Sequence, residues 1–121
     1  MNEMGWINLS RKIWGNFLWD DKPFSKAQAW IDMLLLANYK ENNVVAKGEE
    51  LAIQRGSFIT SDKILCDRWG WGRTKERSFL SLLEENDMVV VTRTKKGTIV
   101  KIVNYDSYQT KTRSGGNRKK D

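Results

Sequence analysis

Histidine is absent from all 121 residues. That removes imidazole-based acid–base catalysis and most zinc sites. The single cysteine, Cys66, excludes a disulfide within the chain and fits a reducing compartment. Beside Leu65 on a helical stretch, it reads as a small buried hydrophobe. No apolar run approaches the ~20 residues a membrane span needs. The opening Met1-Asn-Glu-Met-Gly5 lacks the basic-then-apolar layout of a signal peptide, so a cytoplasmic location is expected. Gly70 and Gly72 follow no strand and lack the spacing of a nucleotide-binding loop. Glu84 and Glu85 are adjacent and read as solvated. These absences leave no catalytic constellation, so a binding protein without metal or cofactor is expected.

What is present describes one domain with a real core: 40% hydrophobic and 30% charged residues in a chain too short for two. The net charge of +6 is unevenly placed. Residues 107–121 contribute +4 through Lys111, Arg113, Arg118, Lys119 and Lys120 against Asp121, whereas residues 1–106 contribute +2. The segment 110–121 has nothing apolar to bury and cannot recover its ordering entropy. It is expected to be a flexible basic linker or tail, solvated, attracting phosphate, or both.

Along the chain, Trp6, Trp14 and Trp19 gather with Ile7, Leu9, Ile13, Phe17 and Leu18. Ser10 is placed to cap a short helix over Arg11–Phe17. So much aromatic surface either covers the core or meets another copy of the chain, with Trp6, Trp14, Phe17 and Trp19 as the candidate self-association residues. Asp20-Asp-Lys-Pro23 breaks the chain. Ser25 with Gln28 three residues on then predicts a capped helix, apolar on most faces and ending near Tyr39-Lys40. Val44, Val45, Leu51 and Ile53 suggest short strands between turn glycines, and Ser57–Thr60 reads as a further strand.

The most ordered signal lies between Thr60 and Tyr105. Ser61 caps a helix whose inward residues are predicted to be Ile64, Leu65 and Trp69, and Gly70 ends it. A second helix begins after Gly72 and runs to about Glu85, with Phe79, Leu80 and Leu83 on one side and Thr74, Ser78 and Ser81 opposite. Asn86-Asp87 turns the chain into two valine-rich runs joined across Lys95-Lys96-Gly97. The predicted fold is therefore α+β, mainly α. It is a winged helix-turn-helix with a small antiparallel β-sheet wing and an extra N-terminal helical segment, spanning residues 1–109.

In that motif the second helix lies in the major groove and its N-terminal residues meet base edges. Here they are Arg73, Thr74, Lys75, Arg77 and Ser78, with Arg93, Lys95 and Lys96 of the wing reaching phosphates. Residues 61–101 hold 9 basic and 6 acidic side chains, a modest excess. Winged helices also serve as protein–protein modules, so an oligomerisation scaffold and a transcriptional regulator stand beside a DNA reader.

Several stretches carry a family resemblance: Gly5-Trp-Ile-Asn-Leu9, Phe24-Ser25, Ala29-Trp-Ile-Asp-Met-Leu-Leu-Leu-Ala-Asn-Tyr-Lys40, Arg55-Gly-Ser-Phe-Ile-Thr-Ser61, Trp69-Gly-Trp-Gly-Arg-Thr-Lys75 and Ile102-Val-Asn-Tyr-Asp-Ser-Tyr-Gln109. Together they resemble the N-terminal winged-helix domain of phage replisome-organiser and DnaD-like replication initiation proteins. The resemblance implies a domain that binds double-stranded DNA or self-associates as a homodimer or higher oligomer, in a bacterial or phage-infected cytoplasm. It also implies a basic linker leading to a C-terminal domain, absent from this sequence, that engages DNA or helps to load the replicative helicase. On the scaffold reading, DNA affinity would reside in that absent domain. Two positions depart from the family pattern. Gly72 stands where a serine is common, weakening the cap by a few tenths of a kcal/mol. Glu76 stands where an apolar residue is usual, at the first turn by which the helix docks.

Overall fold

Lys26 to Leu36 form the first α-helix, α1, in the computed structural model, which describes Gly5 and residues 7–109. Trp6 and segment 110–121 lie outside the described residues. The fold is α+β, with four α-helices and two small antiparallel sheets among the described residues. The chain divides into a larger unit, Lys22–Val103, and a smaller one comprising Met1–Asp21 and Asn104–Asp121.

Within the larger unit, the Ser25 hydroxyl accepts the Gln28 amide at 3.1 Å, as the capping pattern predicts. The helix stops three residues before the expected Tyr39. Asn38 is captured by the loop ahead of the next sheet, its amide donating to Ser57 O and its carbonyl accepting from Gly56 N. Those bonds require extended backbone, and Ala37 already has ψ 138°. Strands β1 (Asn42–Ala46) and β2 (Glu49–Ile53) then form a hairpin. Lys47 and Gly48 at its tip both have positive φ, the two-residue turn that matches strand twist.

Strand β3 (Ser57–Thr60) leads directly into α2 (Asp62–Trp69), capped by the Ser61 hydroxyl, which accepts the Ile64 amide at 3.1 Å. Gly70 closes α2 at φ 72°, with its amide on Cys66 O. After Trp71 and Gly72 comes α3 (Arg73–Glu85). Asp87, in the left-handed region at φ 58°, turns the chain into β4 (Val89–Thr94) and β5 (Gly97–Ile102). The sheet order is β3-β5-β4, with Phe58 opposite Val100 and Arg93 opposite Thr98. Lys95 and Lys96 make the tip, where the Thr94 hydroxyl accepts both the Lys96 and Gly97 amides and donates to Gly97 O.

The core follows the two periodicities. Thr98, Val100 and Ile102 alternate inward along β5, and Phe79, Leu80 and Leu83 line one side of α3. They meet Met33, Leu65 and Trp69, all fully buried. Each large apolar side chain so placed is worth about 1.5–3 kcal/mol. Trp69, Trp71 and Phe79 pack edge to face with centroids 4.9–5.7 Å apart. Ile64, expected inside, is half exposed, and Cys66 is only partly buried.

In the smaller unit, Ser10 caps a 3₁₀ turn over Arg11–Gly15 rather than an α-helix reaching Phe17. Gly15 marks its end, since nothing there favours continuing a helix. None of the turn's residues is buried. Phe17 is 83% exposed, and Ile7 and Leu18 are also largely exposed. The α-helix expected over Arg11–Phe17 is therefore corrected to a 3₁₀ turn, whose i→i+3 bonds seldom continue beyond a few residues. A single-turn helix, α4 (Tyr105–Gln109), follows Asn104, whose carbonyl accepts from the Ser107 amide and hydroxyl.

Candidate nucleic-acid interface

The residues expected to read DNA fall on one helix, and their exposure follows from where the core sits. With Phe79, Leu80 and Leu83 turned inward, Arg73, Thr74, Lys75, Arg77 and Ser78 are all exposed. The N-cap, Gly72, offers no side-chain hydrogen bond, so the first amides of α3 have no side-chain cap. An uncapped helix N-terminus carries partial positive charge beside Arg73 and Lys75.

The turn before α3 is held from outside. Phe24 N donates to Trp69 O at 2.8 Å and Trp71 Nε1 donates to Phe24 O at 2.9 Å. Lys75 Nζ lies 4.5 Å from the Trp71 ring centroid, a cation–π contact that draws the ammonium back along the helix. Sequence reading placed Lys75 correctly on the exposed side but missed this platform, because Trp71 lies outside both helical patterns.

Asp62, at the first position of α2, was not singled out from sequence, yet it organises the other cations. Its Oδ2 accepts from Arg77 Nε at 3.0 Å and Nη2 at 2.6 Å. Both of its oxygens accept from Arg93 Nη1, at 3.2 and 3.3 Å. Asp62 therefore joins α3 to β4, bringing together two residues predicted separately as a base reader and a phosphate contact. Lys96 turns instead to Glu49 at the tip of the β1–β2 hairpin, in a close ion pair. Arg73 and Lys95 have no ion-pair partner among the described residues.

Glu76 is fully buried, so it occupies the inward position of α3 where the family resemblance implies an apolar residue. As a carboxylate it meets no donor: both oxygens are buried without a hydrogen-bond partner. As a carboxylic acid it can donate to the neighbouring Asp62. Burial, then the hydrogen bond and charge of Asp62, raise its pKa from 4.5 to about 7. Burial works against the Asp62 charge, but hydrogen bonds from Arg77, Glu76 and Arg93 outweigh it and hold Asp62 below its ordinary value. Burial, followed by the nearby Glu76, pushes the Cys66 thiol up, away from a reactive thiolate.

Of the self-association candidates, Phe17 and Trp14 are exposed and Trp19 is partly covered, while Trp6 lies outside the described residues. Among the described residues no cluster of acidic or cysteine side chains is arranged to hold a metal ion. No helix among them is long and apolar enough to cross a membrane. Compared with known proteins, the chain matches no family model, no curated protein and no solved structure.

Proposed function

We propose that this chain is the winged helix-turn-helix domain of a phage-type replication initiation protein, related to the replisome-organiser and DnaD-like group. In this reading it acts in the bacterial or phage-infected cytoplasm, binding double-stranded DNA and self-associating. The observation that carries the reading is the order of elements around α3. Two helices joined through Gly70-Trp71-Gly72 run into a β4–β5 hairpin whose central strand also pairs with β3. The second helix presents five exposed polar or basic residues over its first six positions. That is the arrangement in which a helix enters the major groove and a hairpin lies along the neighbouring backbone.

The test is a gel-shift series over rising salt, with the whole chain and with residues 110–121 removed. Arg73→Ala and Lys75→Ala are expected to weaken duplex binding by roughly 1–3 kcal/mol where they meet bases, and less where they meet phosphate. If binding vanishes with residues 110–121 and these substitutions are silent, α3 is not the DNA-facing element.

A second reading is favoured by the exposure of Ile7, Phe17 and Leu18. In it the domain mainly assembles copies of the protein, and DNA affinity resides in a further C-terminal region that also meets the replicative helicase or its loader.

A further inference from the structure

Two guanidinium groups from different elements converge on one carboxylate, and the exposures of the three differ in a telling way. The Asp62 side chain is 10% exposed, whereas those of Arg77 and Arg93 are 52% and 43% exposed. Asp62 lies beneath, and the cations stand over it toward solvent. Arg77 gives Nε and Nη2 to Asp62 and Arg93 gives Nη1. That leaves Arg77 Nη1 and the Nε and Nη2 of Arg93 with no partner among the described residues. Half-exposed ion pairs add little to stability, so holding two like charges together there has little structural return.

We propose that Arg77 and Arg93, held side by side by Asp62, form a seat for a single phosphate group of a nucleic-acid backbone. The proposal rests on the reading of α3 as the nucleic-acid-facing helix, and it changes the part Arg77 plays. Asp62 occupies the Nε–Nη2 edge of Arg77, leaving its outward Nη1–Nη2 end to a ligand. That end lies beside the free Nε–Nη2 edge of Arg93, and the two together suit the several acceptor oxygens of one phosphate. Two guanidiniums over one carboxylate leave a net charge of +1 when Glu76, the buried acid behind Asp62, carries its proton. Asp62 is thus a positioning residue: it touches no ligand, but it fixes the spacing and orientation of the two groups that do.

The test turns on a reversal of simple electrostatics. Removing an acidic side chain from a DNA-binding face raises affinity if that residue only neutralises its neighbours. If Asp62 positions them, Asp62→Ala lowers affinity for a mixed-sequence duplex by about tenfold despite the gain of positive charge. Arg77→Ala and Arg93→Ala are expected to weaken binding equally on unrelated duplexes, to lower the salt slope by about one each, and to combine less than additively. Asp62→Asn, which keeps the shape and one acceptor oxygen, falls between wild type and Asp62→Ala and carries the test if the alanine variant does not fold. In parallel, the arginine Nε–H NMR signals of Arg77 and Arg93 are followed as inorganic phosphate is added.

Weaker duplex binding by both Asp62 variants supports the seat. Binding as tight as wild type, or tighter, overturns it and leaves the DNA reading standing. If wild type binds no duplex, yet the two arginine signals shift with phosphate and cease to shift in the Asp62 variants, the seat stands and the DNA reading falls. If neither response occurs, both fall.

Discussion

Asp32 Oδ2 accepts from both Arg68 Nε at 2.8 Å and Trp69 Nε1 at 2.9 Å, while Oδ1 accepts from Arg68 Nη2 at 2.7 Å. This fully buried carboxylate ties α1 to the end of α2 and fixes the indole at the centre of the aromatic cluster. Asp32→Ala removes the acceptor that Arg68 and the buried Trp69 N–H share, and losing those charge-assisted bonds is expected to cost about 3 kcal/mol. Urea denaturation is expected to show a lower midpoint with little change of slope. Asp32→Asn is expected to recover only part of the loss, because its amide group faces donors. A midpoint equal to wild type would mean that water replaces the carboxylate at no cost.

Glu76 makes stability depend on pH. Its folded pKa of about 7 lies above its ordinary value of 4.5. Below 4.5 the acid is protonated in both states and its favourable contribution is complete. Between 4.5 and about 7 the unfolded chain releases the proton first, so stability falls, and above 7 the contribution is lost. The shift corresponds to on the order of 3 kcal/mol. Glu76→Gln keeps a donor for Asp62 and cannot ionise. It is expected to melt close to wild type at pH 5 and higher than wild type at pH 8, by roughly 10 °C. An equal offset at both pH values would show that Glu76 does not titrate in this window.

Gly70 and Gly72, two residues apart, are expected to respond oppositely to substitution. Gly70 has φ 72°, and a Cβ there would stand 3.0 Å from Lys22 Cβ and 3.3 Å from Pro23 Cα. Gly70→Ala combines left-handed strain with tight contacts on Lys22 and Pro23, for a loss of about 2 kcal/mol. Gly72 has extended backbone and open space around the missing Cβ. Gly72→Ser supplies the hydroxyl the helix lacks and is expected to gain a few tenths of a kcal/mol. Thermal melts of the two variants against wild type check both signs.

Those two glycines also explain why α2, α3 and the β4–β5 hairpin were legible in the sequence. Their boundaries are written locally: Ser61 three residues before Ile64, Gly70 past the last turn, and the Lys95-Lys96 tip between alternating strands. What escaped was whatever depends on partners distant in the chain. Asp32 gives no local signal of its role because Arg68, which satisfies it, is 36 residues away. Asp62 gives none either, because Arg77 and Arg93 arrive from two other elements. Glu76 stood out only as a departure from the family pattern, and its protonation depends on that same Asp62. The N-terminal aromatics leave two roles open because hydrophobicity reports a tendency to be covered but not what covers it.

The two readings of function differ measurably in what covers the N-terminal apolar residues. Ile7, Phe17 and Leu18 are each largely exposed. If a second copy covers this surface, Phe17→Ser with Leu18→Ser removes apolar area from the contact without touching the buried core, so the variant should fold normally. Light scattering over a range of protein concentrations is expected to show wild type moving from monomer toward dimer while the double variant stays monomeric. The melting temperature of wild type should rise with concentration and that of the variant should not, since association stabilises only the folded chain. If the variant associates as wild type does, the segment is not the assembly face. If it stays monomeric but binds duplex DNA as wild type does, assembly and DNA contact are separate properties of the domain.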